Sequence, residues 1–139
     1  MGLKLEQAQT IVAAALAYAR AKSLKPMAFV VLDERGALRA AAAEDGTSLA
    51  RWKVAYGKAQ GSLSMGVSSR KLQDMALERP HFVASLATVF KEGIIPVPGG
   101  VLILDEAGAV IGTAGASGDT SDNDEAALVA AIAEARLKS

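Results

Sequence analysis

Val30-Val31-Leu32-Asp33-Glu34-Arg35-Gly36-Ala37-Leu38 and Leu102-Ile103-Leu104-Asp105-Glu106-Ala107-Gly108-Ala109-Val110 are two copies of one device. Each runs from an aliphatic segment into Asp-Glu-x-Gly-Ala and out into a second apolar segment. Asp at the first turn position can accept hydrogen bonds from the backbone ahead of it, and Gly supplies the positive φ that closes a tight hairpin. Two such hairpins predict one mainly antiparallel sheet built from both. Short turns converge on the same residues, so the echo speaks to architecture and not to a shared activity.

Outward from the hairpins the periodicity turns helical. Leu5, Ala8, Val12, Ala15 and Ala19 predict an amphipathic helix over about residues 4–22, ended by Lys25-Pro26. Met27 to Leu32 and Ala37 to Ala42 are the strands of the first hairpin. In the next segment Leu49, Trp52, Ala55, Tyr56, Ala59 and Leu63 trace the face expected to be buried, with Arg51, Lys58 and Ser62 on the other side. Gly57 and Gly61 weaken this helix by about 1 kcal/mol each relative to Ala and suggest close packing. Ser68 or Ser69 can cap a shorter helix through Leu77. Another follows Pro80, with Phe82, Val83, Leu86 and Phe90 as its buried side. Ile94 to Gly100 holds two prolines, which suits an edge strand or an extended loop. The last helix starts near Ser121 and buries Leu128, Ile132 and Ala135. Grouped hairpins separated by helices predict an α+β sandwich over one domain, residues 1–139, and disfavour a Rossmann-type fold.

Composition narrows the function classes. The 15 basic and 15 acidic side chains balance, so no net field favours nucleic acid or an anionic membrane. Without cysteine there is no disulfide, thiolate metal site or cysteine nucleophile, and one histidine rules out a multi-histidine metal site. No apolar run reaches the roughly 20 residues of a membrane span. Met1-Gly2-Leu3-Lys4 lacks the apolar core of a signal peptide, so a cytoplasmic protein is expected. Apolar residues make up 51% of the chain but aromatics only 4%, because alanine dominates. Alanine faces bury little area each, which favours a homo-oligomer.

The segment with most chemical content is Gly112-Thr113-Ala114-Gly115-Ala116-Ser117-Gly118-Asp119-Thr120-Ser121-Asp122-Asn123-Asp124-Glu125. A glycine-spaced strand here runs into helix-capping residues, a junction that can hold a carboxylate or phosphate on backbone N–H groups and the Ser117 and Thr120 hydroxyls. Thr120 or Ser121 as N-cap, with Asp124 or Glu125 completing a capping box, accounts for the second half without a ligand. Gly112 and Gly115 within a strand signal close approach by another backbone or by a ligand. Lys58 and Arg51 share a helical face and could neutralise an acidic ligand. His81 follows Pro80 at a helix start, where the dipole favours neutral imidazole; it is a candidate haem ligand or general base, or a plain surface histidine. Asp45-Gly46 reads first as a turn, and Met65 and Met75 as packing residues. Gly-Ala-Ser-Gly-Asp is not a nucleophile elbow, and the glycines lack dinucleotide-site spacing. No nucleophile–base pair emerges, so binding and catalysis both stand as readings.

Several motifs, in order, resemble the GlcG/HbpS family, also described as the haem-degrading or PduO C-terminal-like domain. They are Asp33-x-x-Gly36-x-Leu38, Asp45-Gly46, Lys58-Ala59, Gly99-Gly100-Val101, and Gly112-x-x-Gly115-x-Ser117-Gly118 followed by Thr120-Ser121 and Asp124-Glu125. The resemblance spans nearly the whole chain. It implies a profilin-like α/β/α sandwich with a five-stranded antiparallel sheet, and assembly into dimers or rings up to octamers. It also implies haem or tetrapyrrole binding in some members and, in others, a place in the catabolism of short hydroxy or oxo acids. The residues it marks for a small-molecule ligand are Lys58, Gly99, Gly100, Gly112, Gly115, Ser117, Gly118 and Thr120; His81, outside these motifs, stays the candidate haem ligand on its position alone, and no separate metal is expected. The chain differs from the family pattern at Ala43-Glu44 and in having no histidine in its first helix.

Overall fold

A computed structural model describes residues 2–139; Met1, the first residue of the N-terminal segment discussed above, lies outside them. The order is α1 (Leu5–Ala21), β1 (Ala28–Asp33), β2 (Leu38–Ala43), α2 (Arg51–Met65), α3 (Ser69–Glu78), α4 (Pro80–Ser85), a 3₁₀ turn (Leu86–Thr88), β3 (Gly100–Leu104), β4 (Val110–Ser117) and α5 (Ser121–Glu134). The strands form one antiparallel sheet in the order β2-β1-β4-β3.

The two echoed turns close in the same way. Gly36 and Gly108 adopt φ of 83° and 86°. Their N–H groups donate to the Asp33 and Asp105 carbonyls, both at 3.0 Å. Each Asp carboxylate also accepts from the residue after its glycine, Ala37 at 3.1 Å and Ala109 at 2.9 Å.

The sheet has four strands among the described residues, not five. Ile94 to Pro98 is extended loop, because Pro96 and Pro98 have no N–H to give a ladder. Only at Gly99 does the backbone rejoin the sheet, where its carbonyl accepts from Ala116 at 2.8 Å.

Alternation along the strands sends side chains to two layers. Phe29, Val31, Val101, Ile103, Ala114 and Ala116 face α1 and α5, where Ile11, Ala15, Leu128 and Ile132 complete the larger core. Val30 and Leu32 face α2 and meet Ala55 and Ala59 in a much smaller one.

The orientation of α2 corrects the face predicted from bulk. Leu49, just before the helix, and Trp52 are 87% and 48% exposed, while Lys58 and Ser62 are buried. The cause lies in the sheet. Gly100 and Gly115 are register partners on β3 and β4. A Cβ on Gly100 would stand 2.5 Å from the Lys58 carbonyl oxygen, and one on Gly115 would overlap the Ala55 carbonyl. Helix backbone rests directly on sheet backbone, so only the small side of α2 fits against it and Trp52 is left outside.

Candidate functional site

The C-terminal end of β4 gathers the charged groups that α2 and α5 bring to the sheet. Because α2 lies so low on the glycines, Lys58 is 2% exposed and its ammonium is held within the fold. Its Nζ donates to the Ala116 carbonyl at 2.9 Å and to Asp124 Oδ2 at 3.2 Å. Asp124, 2% exposed on the first turn of α5, uses Oδ1 to accept from the Asp119 N–H at 2.9 Å. One buried ion pair therefore ties α2, β4 and α5 together. Burial pushes the Lys58 pKa down, with Asp124 offsetting only part of the shift. Burial pushes Asp124 up, against the Asp119 N–H and Lys58. Both directions say that desolvation outweighs the mutual attraction.

Ser117 is 1% exposed and ends β4 on the α2 side of the sheet. Its Oγ accepts from Arg51 Nη1 at 3.1 Å. Arg51 begins α2 and is exposed, while Ser117 anchors its guanidinium from within the fold. The guanidinium's remaining donors can grip a small carboxylate at two points. Lys58 cannot touch such a ligand; its positive charge is already matched by Asp124.

The end of the predicted stretch is a helix cap with a different wiring from the expected box. Thr120 is the N-cap and accepts from the Asn123 N–H at 3.2 Å. Asp124 turns inward to Lys58, and Glu125 accepts from Arg70 Nε at 3.1 Å. The residue that organises the junction is Asp119. It accepts from the Lys25 and Thr120 N–H groups, both at 2.9 Å, and from Asn123 Nδ2 at 2.7 Å. These bonds hold its carboxyl at about 2. Sequence reasoning used Asp119 only to exclude a nucleophile elbow, and its Asx-type position before an N-cap was the available signal.

The other marked residues divide by place. Gly99 leaves room beside the Lys58 ammonium, where a Cβ would stand 2.7 Å from Nζ. Gly100 and Gly115 are the contact between sheet and helix. Gly118 passes against the Pro26 carbonyl. Gly112 pairs with Asp33 at the opposite end of β4, about 17 Å from Ser117 at strand rise. His81 is exposed on α4, which among the elements packs only against α3 and the 3₁₀ turn. The structure therefore brings Lys58, Gly99, Gly100, Gly115, Ser117, Gly118 and Thr120 to one region and leaves His81 and Gly112 apart from it.

Haem places two demands on these residues, a donor and an enclosure. His81 supplies an accessible imidazole. The nearest cavity, about 280 Å³ between α3, α4 and the Ile94–Pro96 loop, is lined by Pro80, Val83 and Ala84 but not by the imidazole. A larger one, about 500 Å³, lies between the end of α1 and the end of β2 and is lined by Leu16, Arg20, Pro26 and Glu44, with no imidazole. The donor fits and the enclosure does not: neither cavity is lined by His81. No cluster of His, Asp and Glu suited to a separate metal ion occurs among the described residues, and none of their helices is long and apolar enough to cross a membrane.

The sequence pattern of the family described as haem degrading protein HbpS-like matches residues 3–133. The chain belongs to this family. Among solved structures, the PduOC:heme complex is 20% identical, with a TM-score of 0.87 over 99% of this chain and 97% of that one. Klebsiella pneumoniae ORFY is 21% identical, TM-score 0.88, over 98% and 92%. HbpS is 23% identical, TM-score 0.82, over 96% and 89%. At these identities the HbpS-like relatives share the fold with this chain. No curated protein sequence matches it.

Proposed function

We propose that this HbpS-like chain is a homo-oligomeric small-ligand-binding protein whose ligand is haem or a related tetrapyrrole. The observation that carries the reading is the full-length likeness to a domain crystallised with haem, in a family described by haem degradation. In this reading His81 would be the iron donor, and haem would supply the redox-active metal. Titrating the purified chain with hemin tests it. A saturable Soret shift that weakens in His81→Ala is expected. No saturable shift sinks the haem reading, and a shift unchanged in His81→Ala sinks the role of His81.

A second reading is favoured by the Arg51–Ser117 contact at 3.1 Å. Here the junction holds the carboxylate of a short hydroxy or oxo acid, as a binding subunit or a small catabolic enzyme. Arg51, oriented by the buried Ser117 hydroxyl, grips the acid, Thr120 borders it, and Lys58 fixes the wall behind. Glycolate and glyoxylate are suitable probes. Their thermal stabilisation of the chain should shrink in Arg51→Gln and Ser117→Ala, and equal shifts in both variants count against the site. The reading takes the protein to be cytoplasmic, without nucleic-acid or membrane partners.

A further inference from the structure

Strand β2 is an edge of the sheet, and its outer side is unguarded. The Glu44 N–H donates to the Met27 carbonyl at 2.9 Å, which sets the phase of the β1–β2 ladder. Ala40 and Ala42 then direct their N–H and C=O groups to β1, while Ala41 and Ala43 direct theirs outward. Natural edge strands are protected by lysine, proline or covering segments. This one reads Leu38-Arg39-Ala40-Ala41-Ala42-Ala43. Its one charge, Arg39, bends back to donate to the Leu3 carbonyl at 2.8 Å.

Both faces beside the edge are open. On the α2 side the Gln60 amide donates to the Gly36 carbonyl at 3.2 Å, so the flank of α2 carrying Tyr56 and Gln60 is the one turned to the first hairpin. Leu38, 61% exposed, and Ala41 and Ala43 lie uncovered there. On the α1 side two clefts meeting at Leu16, of about 320 and 500 Å³, run along the strand.

We propose that β2 joins two copies of this chain, strand against antiparallel strand, about a two-fold axis at Ala42. The inference rests on the homo-oligomer reading and names the surface that reading lacks. A second copy is the occupant because the edge is complementary to itself. Outward groups bond only when outward-facing residues oppose each other, which leaves two central registers. An axis at Ala41 sets Leu38 opposite Glu44 and brings Arg39, where the β1–β2 register shifts, against Ala43. An axis at Ala42 sets Ala41 opposite Ala43 on either side, each pair exchanging both backbone bonds, and keeps the irregular residue out of the central pairs. The regular ladder favours the second register. The run of alanines keeps side-chain bulk out of the seam.

The chain has no cysteine, so Ala42→Cys introduces one thiol per copy. At the axis the two Cα atoms would stand about 4.5 Å apart, within the roughly 4.4–6.8 Å a disulfide spans. Mild oxidation should give a covalent dimer on a non-reducing gel, while Val129→Cys, exposed on α5, should not under the same conditions. Ala41→Pro removes an outward N–H without breaking the ladder to β1, so the assembly mass in native mass spectrometry should fall at least two-fold. A wild-type chain that is monomeric at tens of micromolar overturns the homo-oligomer reading and this seam with it. A wild-type oligomer whose mass Ala41→Pro leaves unchanged, and whose Ala42→Cys form does not crosslink, overturns the seam alone. If Ala41→Pro fails to fold, the Ala42→Cys result decides.

Discussion

Gly115→Ala tests the claim that α2 sits on bare backbone. The added Cβ overlaps the Ala55 carbonyl oxygen and stands 3.1 Å from the Ala59 nitrogen. Neither is the end of a flexible side chain, so the whole helix must lift. Restoring an ordinary separation of about 3.5 Å requires a movement of more than about 1 Å. That lift stretches the Thr113 hydroxyl bond to the Ala59 carbonyl, now 3.1 Å, and draws Lys58 away from the Ala116 carbonyl. Overpacking costs about 1–3 kcal/mol, and each weakened buried hydrogen bond about 1 kcal/mol. The expected loss is therefore about 3–5 kcal/mol, a large share of the roughly 5–15 kcal/mol that holds a domain folded. At about 3–4 °C per kcal/mol for this size, the Tm should fall by on the order of 10 °C. Urea denaturation followed by circular dichroism gives the free energy. Gly100→Ala forces a similar lift, so the double variant should cost less than the two single changes together, by about 1 kcal/mol or more. A Gly115→Ala variant within about 0.5 kcal/mol of the parent, or strict additivity, refutes the reasoning.

Gly57→Ala should behave oppositely. Its Cβ meets the mobile end of Ile95 at 2.8 Å, and the helix gains about 1 kcal/mol of propensity, so urea denaturation should show a change below about 1 kcal/mol in either direction. Lys58→Met leaves Asp124 buried without its cation and should cost about 3–5 kcal/mol near neutral pH. The folded Asp124 carboxyl titrates above its unfolded value of 3.8, so it contributes stability at low pH that is lost as pH rises through the folded pKa. The deficit of Lys58→Met should accordingly narrow on acidification, and a pH-independent deficit contradicts the assignment. Asp119 has the opposite sign. Its carboxyl is held at about 2 by the Lys25, Asn123 and Thr120 donors, so its contribution is present above 3.8 and fades as pH falls towards 2. Asp119→Ala should flatten the stability profile across that window in denaturation curves taken at stepped pH.

The hairpins were legible because their information is local: Asp33 with Gly36 and Asp105 with Gly108 each complete a turn within a few residues. The first and last helices were legible for a similar reason, since Ala8, Val12, Ala15 and Ala19 of α1 and Leu128 and Ile132 of α5 recur at helical spacing and are buried against a wide core; Leu5, expected in that stripe, is 48% exposed, and Ile11 fills the core instead. Helix α2 was not legible. Reading its face from bulk assumes that large side chains go inward, and Trp52 and Leu49 point out because Gly100 and Gly115, far away in sequence, leave no depth for them. Glycines within a strand signal a close approach, and here it is made by backbone. The family pattern marks Lys58 as a cation for a ligand, yet its partner Asp124 is in a helix at the other end of the chain. Neither sequence neighbourhood contains that pairing. The expected fifth strand was lost to Pro96 and Pro98, whose cost to a ladder was visible in the sequence.

The matching turns also give the sheet a direction. Asp33 pairs with Gly112 at one end of the central strands, and Ala28 with Ser117 at the other. Both Asp–Gly turns therefore sit at the same end, each satisfied by its own backbone and carboxylate. Nearly every crossing between helix and strand falls at the far end, with Arg51, Ser117 and Asp119 among them. One pole is closed by its own turns and the other carries the exposed Arg51. A label or peptide inserted at the exposed Ala107–Gly108 tip would be anchored to the molecule as far along β4 as it can be from the proposed junction. That tip is the natural handle for testing whether the other pole binds a ligand.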